Sequence, residues 1–301
     1  MDMNKIYPLF AVLGLEIEYM LVEKNTLNIA AKSDLILKDL AKEQVNEYLL
    51  GDLCISNEFV LHILELKNPE PKPIKFDFTN TFQQTITALQ IILDKYDLTL
   101  LPTGAHPWMN PLDAKHWPHD NHEIYQQYHD IFNCTGHGWS NLQSMHVNLP
   151  FANDEEFCIL HNAIRLLLPI LPAIAASSPI LDSKFSGFLD TRLRYYGSNQ
   201  TKLPTISGKI IPEIIHSQRQ YQETILQPMY QEIAPFDPNN TLQFEWLNSR
   251  AAIPKFERMS IEIRILDTQE CIDADFAIVA TILYHLFLHQ IRYVLFFRIN
   301  L

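Results

Sequence analysis

Two short stretches, one near each end of the chain, alternate apolar and polar residues with a period of two. In Ile261-Glu262-Ile263-Arg264-Ile265-Leu266-Asp267, the residues Ile261, Ile263 and Ile265 point one way and Glu262 and Arg264 the other. In Gly14-Leu15-Glu16-Ile17-Glu18-Tyr19, the residues Leu15, Ile17 and Tyr19 share one face and Glu16 and Glu18 the opposite one. This is the pattern of half-buried β-strands, and it commits the chain to a sheet with one apolar and one polar face. Two carboxylates at i, i+2 on a strand stand roughly 7 Å apart, at about 3.3 Å rise per residue. That spacing lets them flank one hard cation or reach two adjacent ones. A plain wet sheet face shows the same alternation, so spacing alone leaves both readings open.

Other segments extend the polar row. Glu65 lies in Ile63-Leu64-Glu65-Leu66-Lys67, where a carboxylate is costly unless it pairs with Lys67 or an arginine, or binds metal. The strand expected over 142–149 places Ser144, His146 and Asn148 on one face. The row Glu16, Glu18, Glu65, His146, Glu262 and Arg264 predicts an α+β fold, an antiparallel sheet with helices on one face and the polar face open as a cleft. The remaining pattern predicts strands over 12–22, 59–67 and 98–101. Helices are expected over 33–49, 79–95 and 212–231, and a final one from about residue 273. A long apolar helix over 153–176, kinked at Pro169 and Pro172, is expected inside the core. Segment 104–138 reads as a long ordered loop with a helix near 122–132. With only eight glycines and no repeat, residues 1–301 read as one domain.

Composition narrows the function. A formal net charge of −12 argues against nucleic acid and anionic membrane surfaces as partners. Cys54, Cys134, Cys158 and Cys271 form no CxxC pair, which suits a reducing compartment such as the cytoplasm. The N-terminus lacks a signal-peptide shape. The apolar run 276–297 carries His285, His289, Gln290 and Arg292, and reads as a buried helix rather than a membrane span. No Walker A loop exists, because Leu203 stands where the first glycine before Gly208-Lys209 is required. Seven of the twelve histidines fall between residues 106 and 146, which raises a zinc hydrolase as a rival. Against it, His116 and His119 lie on a proline-containing loop without the i, i+4 helical spacing of the usual zinc signature. Arg192 and Arg194 form either a surface salt-bridged pair or a fork for a substrate carboxylate.

Taken in order, seven motifs resemble the glutamate–cysteine ligase and carboxylate–amine ligase family. They are Gly14-Leu-Glu-Ile-Glu-Tyr, Leu64-Glu-Leu with its proline-rich exit, Gly104-Ala-His-Pro, Met145-His-Val-Asn, Ser177-Ser-Pro, Asp190-Thr-Arg and Ile261-Glu-Ile-Arg-Ile-Leu-Asp. The resemblance spans about residues 12 to 275. It implies the curved antiparallel sheet of glutamine synthetase and the guanidino kinases, with ATP and Mg²⁺ or Mn²⁺ on the concave face. By position, Glu16, Glu18, Glu65 and Glu262 resemble the metal ligands, and His146 the histidine on the neighbouring strand. Arg264, beside Glu262, resembles the arginine facing the transferred phosphoryl group. Arg192 resembles the arginine that holds the acidic substrate, and His106 and Asn148 fall in substrate-binding motifs. The implied activity is ATP-dependent joining of a carboxylate, such as the γ-carboxylate of glutamate, to an amine such as cysteine. The reaction would pass through an acyl phosphate, as a cytoplasmic step in glutathione biosynthesis. Its partners would be small molecules, with room for a homo-oligomer. The chain stops soon after its last helix, where many relatives continue. A non-catalytic binding relative is the second rival, and the full charged set argues against it.

Overall fold

The computed structural model describes residues 5–299, with side chains described through residue 289. The first alternating stretch is strand β1 (Val12–Glu23). It is followed by helix α1 (Ser33–Ala41) and strands β2 (Glu47–Leu50), β3 (Leu53–Asn57), β4 (Ile63–Lys67) and β5 (Lys72–Pro73). Helix α2 (Phe78–Leu93) and strand β6 (Leu98–Leu101) come next. Helices α3 (His122–Phe132) and α4 (His137–Ser140) lead into β7 (Ser144–Pro150), then α5 (Asp154–Leu167) and α6 (Leu171–Ala175). A small ribbon, β8 (Ile180–Leu181) with β9 (Lys184–Phe185), precedes α7 (Thr191–Tyr196). Helix α8 (Gln218–Tyr221) runs through a π turn, Gln222–Leu226, into α9 (Gln227–Ile233). Strands β10 (Ala252–Lys255) and β11 (Ser260–Asp267) and helix α10 (Ile272–Ile299) complete the order.

The sheet runs β10-β11-β7-β1-β4-β3-β2 with antiparallel neighbours, and β5 and β6 pair with opposite ends of β1. Register does the rest. Glu18 stands opposite Glu65, Glu16 lies between Lys67 and His146, and Asn148 lies between Gly14 and Glu262. A β-bulge between Ile263 and Leu266 adds one residue to β11, so Asp267 comes back into register with Ser144. The opposite face is apolar. Leu15, Ile17, Leu64, Leu66, Met145, Val147, Ile261 and Ile263 are buried in one large cluster with residues of α2, α5 and α10. Each such side chain contributes about 1.5–3 kcal/mol on full burial.

Several sequence expectations shift. The helix expected over 33–49 ends at Ala41, where Lys42 turns left-handed and its N–H caps Lys38. Residues 47–50 instead form a hairpin with β3 around Gly51, whose φ of +65° favours glycine. The strand expected over 59–67 begins only at Ile63, after an isolated bridge from Val60 to His116. The helix over 153–176 breaks into α5 and α6 around Pro169, as its prolines require. It is one-sided rather than buried all round, since Leu166, Ile170 and Ile174 are exposed. The helix expected over 212–231 starts at Gln218, capped by the Ser217 side chain. In α10, Ile278, Val279, Ile282 and Leu286 are buried while Tyr284 and Phe287 are exposed, so the helix packs by one face. Its stretch Ile272–His289 is long and apolar enough, by length and composition, to cross a membrane. The side chains of Gln290 and Arg292 lie outside the described residues. Finally, the polar face is not open along its length: α3, α4 and α7 contribute Tyr128, Trp139 and Tyr196 to the walls of a cavity over one end of it.

Candidate active site

Four neighbouring strands, β4, β1, β7 and β11, bring most of the expected site residues together. Glu16 Oε2 lies 3.2 Å from His146 Nδ1, and its Oε1 accepts from Asn148 Nδ2 at 3.1 Å. Glu18 Oε2 accepts from the Ser144 backbone N–H at 2.7 Å and from its hydroxyl at 3.1 Å. Glu65 Oε1 accepts from Ser56 Oγ at 2.9 Å and from Lys67 Nζ at 2.7 Å. Glu262 is fully buried between the Lys255 ammonium and Arg264 Nη2, the latter at 3.1 Å. Neither Glu262 oxygen makes a well-aligned hydrogen bond among the described residues. Two ligand groups result, Glu16–His146–Glu262 and Glu18–Glu65–His146, each with one ligand atom per residue and all such atoms within 4.8 Å of one another. Carboxylate oxygens with one imidazole suit Mg²⁺ or Mn²⁺. Where such an ion would sit, Lys67 and Lys255 point their ammonium groups at Glu65 and Glu262.

The electrostatics follow from this crowding. Burial alone would raise the Glu16 carboxyl, but the His146 hydrogen bond and the charges of Lys255 and Lys67 outweigh it and hold it low. For Glu65, burial and the charge of Glu16 win over Lys67, and the carboxyl is raised. Burial disfavours charge on His146, yet its contact with Glu16 and the charges of Glu262 and Glu18 raise it on balance. Burial opposes charge on Glu262 also, and Arg264 and Lys255 overcome it and lower the carboxyl.

Two cavities meet these groups from opposite ends. One of about 300 Å³ is bordered by Gly14, Glu16, Asn68, Asn148 and Met259. A Cβ on Gly14 would come within 2.9 Å of Asn148 Cβ, so glycine keeps that wall clear. The other, of about 500 Å³, is bordered by Glu18, Ser144, His146, Arg192 and Arg264. It was the sequence pattern that missed Glu58, Lys255 and the aromatic wall of this larger cavity. Glu58 falls in an irregular turn between β3 and β4, where no periodicity marks it.

Two expected substrate residues are placed differently. His106 is fully buried away from both cavities. Its Nε2 lies 2.6 Å from the Leu27 carbonyl, and its Nδ1 accepts from the backbone N–H groups of Trp108 and Met109. With both ring nitrogens engaged by backbone groups, it orders the loop. Arg192 borders the larger cavity, but its Nε donates to Asp267 Oδ1 at 2.6 Å and its Nη2 to the Arg264 carbonyl at 3.4 Å. Asp267 also accepts from the Ser177 N–H and the Ser178 hydroxyl, and a Cβ on Gly104 would lie 2.5 Å from its Cγ. This knot explains the Gly104, Ser177-Ser178 and Asp190-Thr-Arg motifs together. The loop histidines scatter: His116 lies on the Cys134 carbonyl, His119 on Asp34 and His137 on Asp182.

A model of glutamate-cysteine ligase family 2 matches residues 12–294. The chain belongs to that family. A protein of uncharacterised function from Archaeoglobus fulgidus is 40% identical over 271 residues, covering 90% of this chain and 73% of that protein. A protein from Corynebacterium glutamicum, provisionally named glutamate–cysteine ligase 2, is 26% identical over 200 residues, or 64% of this chain and 47% of the relative. The chain thus spans about half the length of that relative. A crystal structure of a bifunctional glutathione synthetase from Pasteurella multocida superposes with a TM-score of 0.52 at 11% identity, over 92% of this chain and 39% of that one. That likeness concerns the fold alone.

Proposed function

We propose that this member of glutamate-cysteine ligase family 2 is an ATP-dependent carboxylate–amine ligase with glutamate as its acid. The observation that carries this reading is the pair of ligand groups sharing His146 at the junction of two cavities, with Arg264 beside them. A carboxylate is a poor acyl donor, and receiving the γ-phosphoryl group of ATP turns it into an acyl phosphate that an amine can attack. Such transfer depends on positioning and on charge stabilisation. Bound Mg²⁺ or Mn²⁺ would supply the positive charge that lets a carboxylate-lined face accept polyphosphate. Glu16, Glu18, Glu65, Glu262 and His146 would hold those ions. The phosphates would approach from the cavity beside Glu16 and Asn148, the acid and amine from the cavity beside Glu18 and Arg264. Arg264 is fixed by Glu262 and by the Asn248 carbonyl, so its charge is preorganised for the phosphoryl group in flight. Arg192, tied to Asp267, would offer the acid only the part of its guanidinium left free. The four free cysteines suit a reducing interior such as the cytoplasm.

The test is ADP release, with glutamate and hydroxylamine present to trap the acyl phosphate as a hydroxamate. Glutamate- and ATP-dependent hydroxamate supports the reading. Its absence over a panel of carboxylic acids, with Mg²⁺ or Mn²⁺ present, would remove it.

A further inference from the structure

Helix α3 lays one face along the larger cavity. Ile124, Tyr125 and Tyr128 fall at the spacing of a single helix face, and all three border that cavity. The Tyr128 ring is held by three others. Its centroid lies 5.9 Å from that of Trp139, 6.1 Å from that of Trp246 and 5.7 Å from that of Phe132, one turn on along α3. Trp139 in turn stacks on Phe132 at 5.8 Å. Such contacts leave the phenol little freedom of direction.

Three tyrosines border the cavity, and their hydroxyls differ. Tyr125 Oη accepts from Asn57 Nδ2 at 3.3 Å. Tyr196 Oη is enclosed beside the Arg264 guanidinium. Tyr128 Oη bonds to no protein group among the described residues and is not enclosed. Burial raises this phenol, the nearby charge of Arg264 opposes the rise, and burial wins, so the group stays a proton donor. A fixed O–H donor without a protein acceptor, beside a guanidinium, converges with it on an oxygen that carries negative charge. When an amine adds to an acyl phosphate, the oxygen that gains charge is the acyl oxygen.

Resting on the ligase reading above, we propose that Tyr128 is a catalytic residue of the second half-reaction, its hydroxyl donating to the acyl oxygen as the amine attacks. Arg264 serves the first half-reaction, at the phosphoryl group. The lone pair of the neutral amine forms the C–N bond while the carbonyl π pair moves onto the acyl oxygen, where the Tyr128 hydroxyl bonds it. That pair then returns, and the C–O bond to phosphate breaks with its electrons leaving on phosphate. The nitrogen gives its surplus proton to the departing phosphate. Tyr128 keeps its own proton throughout.

Single turnovers separate the two half-reactions, with enzyme in excess over ATP and with glutamate, Mn²⁺ and hydroxylamine present. ADP after quenching reports phosphoryl transfer. Hydroxamate reports attack, at hydroxylamine too dilute to trap free acyl phosphate within a turnover. Tyr128→Phe keeps the ring and loses only the hydroxyl. It should form ADP within about threefold of the wild-type rate and hydroxamate about 10²-fold more slowly, the usual loss for one oxyanion donor. A role in the fold alone would not split the two rates. Hydroxamate formed at the wild-type rate overturns the inference and leaves the ligase reading standing. ADP and hydroxamate slowed alike also overturn it, because the hydroxyl would then act on phosphoryl transfer or on the fold. Failure of wild type to form hydroxamate removes the ligase reading and this inference with it.

Discussion

Replacing Arg192 by methionine tests whether the Asp267 knot holds the roof of the larger cavity in place. The Arg192 and Asp267 side chains are 2% and 0% exposed, and their contact is 2.6 Å. Methionine keeps much of the stem but leaves the aspartate charge buried, with Ser177 and Ser178 as its remaining donors. Breaking one side of a buried ion pair costs about 3–5 kcal/mol. At about 2.1 cal/mol/K of unfolding entropy per residue, a chain of this length loses about 5–8 °C of Tm for that cost. Thermal unfolding by circular dichroism, with urea midpoints beside it, reads the effect. The double variant Arg192→Met/Asp267→Asn removes the stranded charge and should recover at least about 2 kcal/mol of the loss. A single variant within 2 °C of wild type, or a double variant no better than the single, refutes the reasoning. Arg192→Lys separates structure from substrate holding. If the outer guanidinium nitrogen touches the acid, the KM for glutamate should rise about ten- to hundredfold while that for ATP stays put.

Glu16→Gln should leave the fold intact and abolish Mn²⁺ binding measured by calorimetry; unchanged affinity would defeat its assignment as a ligand. Arg264→Ala should lower kcat by about 10²–10³ with little change in ATP binding, because Lys255 still faces Glu262; turnover within a few-fold of wild type would mean an ordinary ion pair. Protein purified without added zinc should retain no stoichiometric zinc, and close to one zinc per chain would revive the hydrolase. Burial raises the Asp275 carboxyl to about 7 from 3.8, so the folded chain keeps a proton that the unfolded chain releases, and stability falls as pH rises through that window. Asp275→Asn should therefore gain Tm relative to wild type between pH 4 and 8, up to a ceiling of about 4 kcal/mol, and a pH-independent difference would refute the assignment.

The strands that carry the site were legible because apolar and polar residues alternate along most of their length, and that alternation survives wherever one face packs in the core and the other gathers polar groups. Glu16, Glu18, Glu65, His146 and Glu262 all sit on such strands, and register then brings them together. The hairpin of β2 and β3 was hidden, since a helical period fits residues 33–49 until Lys42 and Gly51 turn left-handed. His106 was opaque for a different reason: a histidine in a loop looks available, and only the fold shows that its ring binds backbone on both sides. Arg192 looked like an exposed fork, because nothing in its own segment points to Asp267, 75 residues away. Glu58 left no trace at all, being neither in a strand nor in a helix.

The order of strands in the sheet has a consequence during synthesis. β11 stands between β10 and β7, yet of the described strands it is the last to leave the ribosome. Until it does, the nascent chain carries Glu16, Glu18, Glu65 and His146 without Glu262 or Arg264, and the edge of β7 lies bare. The pairing of β7 with β11 spans more than a hundred residues, which makes it a slow step. Bare edges invite pairing with other chains, and charged side chains beside such an edge discourage it. Glu16 and Glu18 on β1, the neighbour of β7, are such charges, and both are made long before β11.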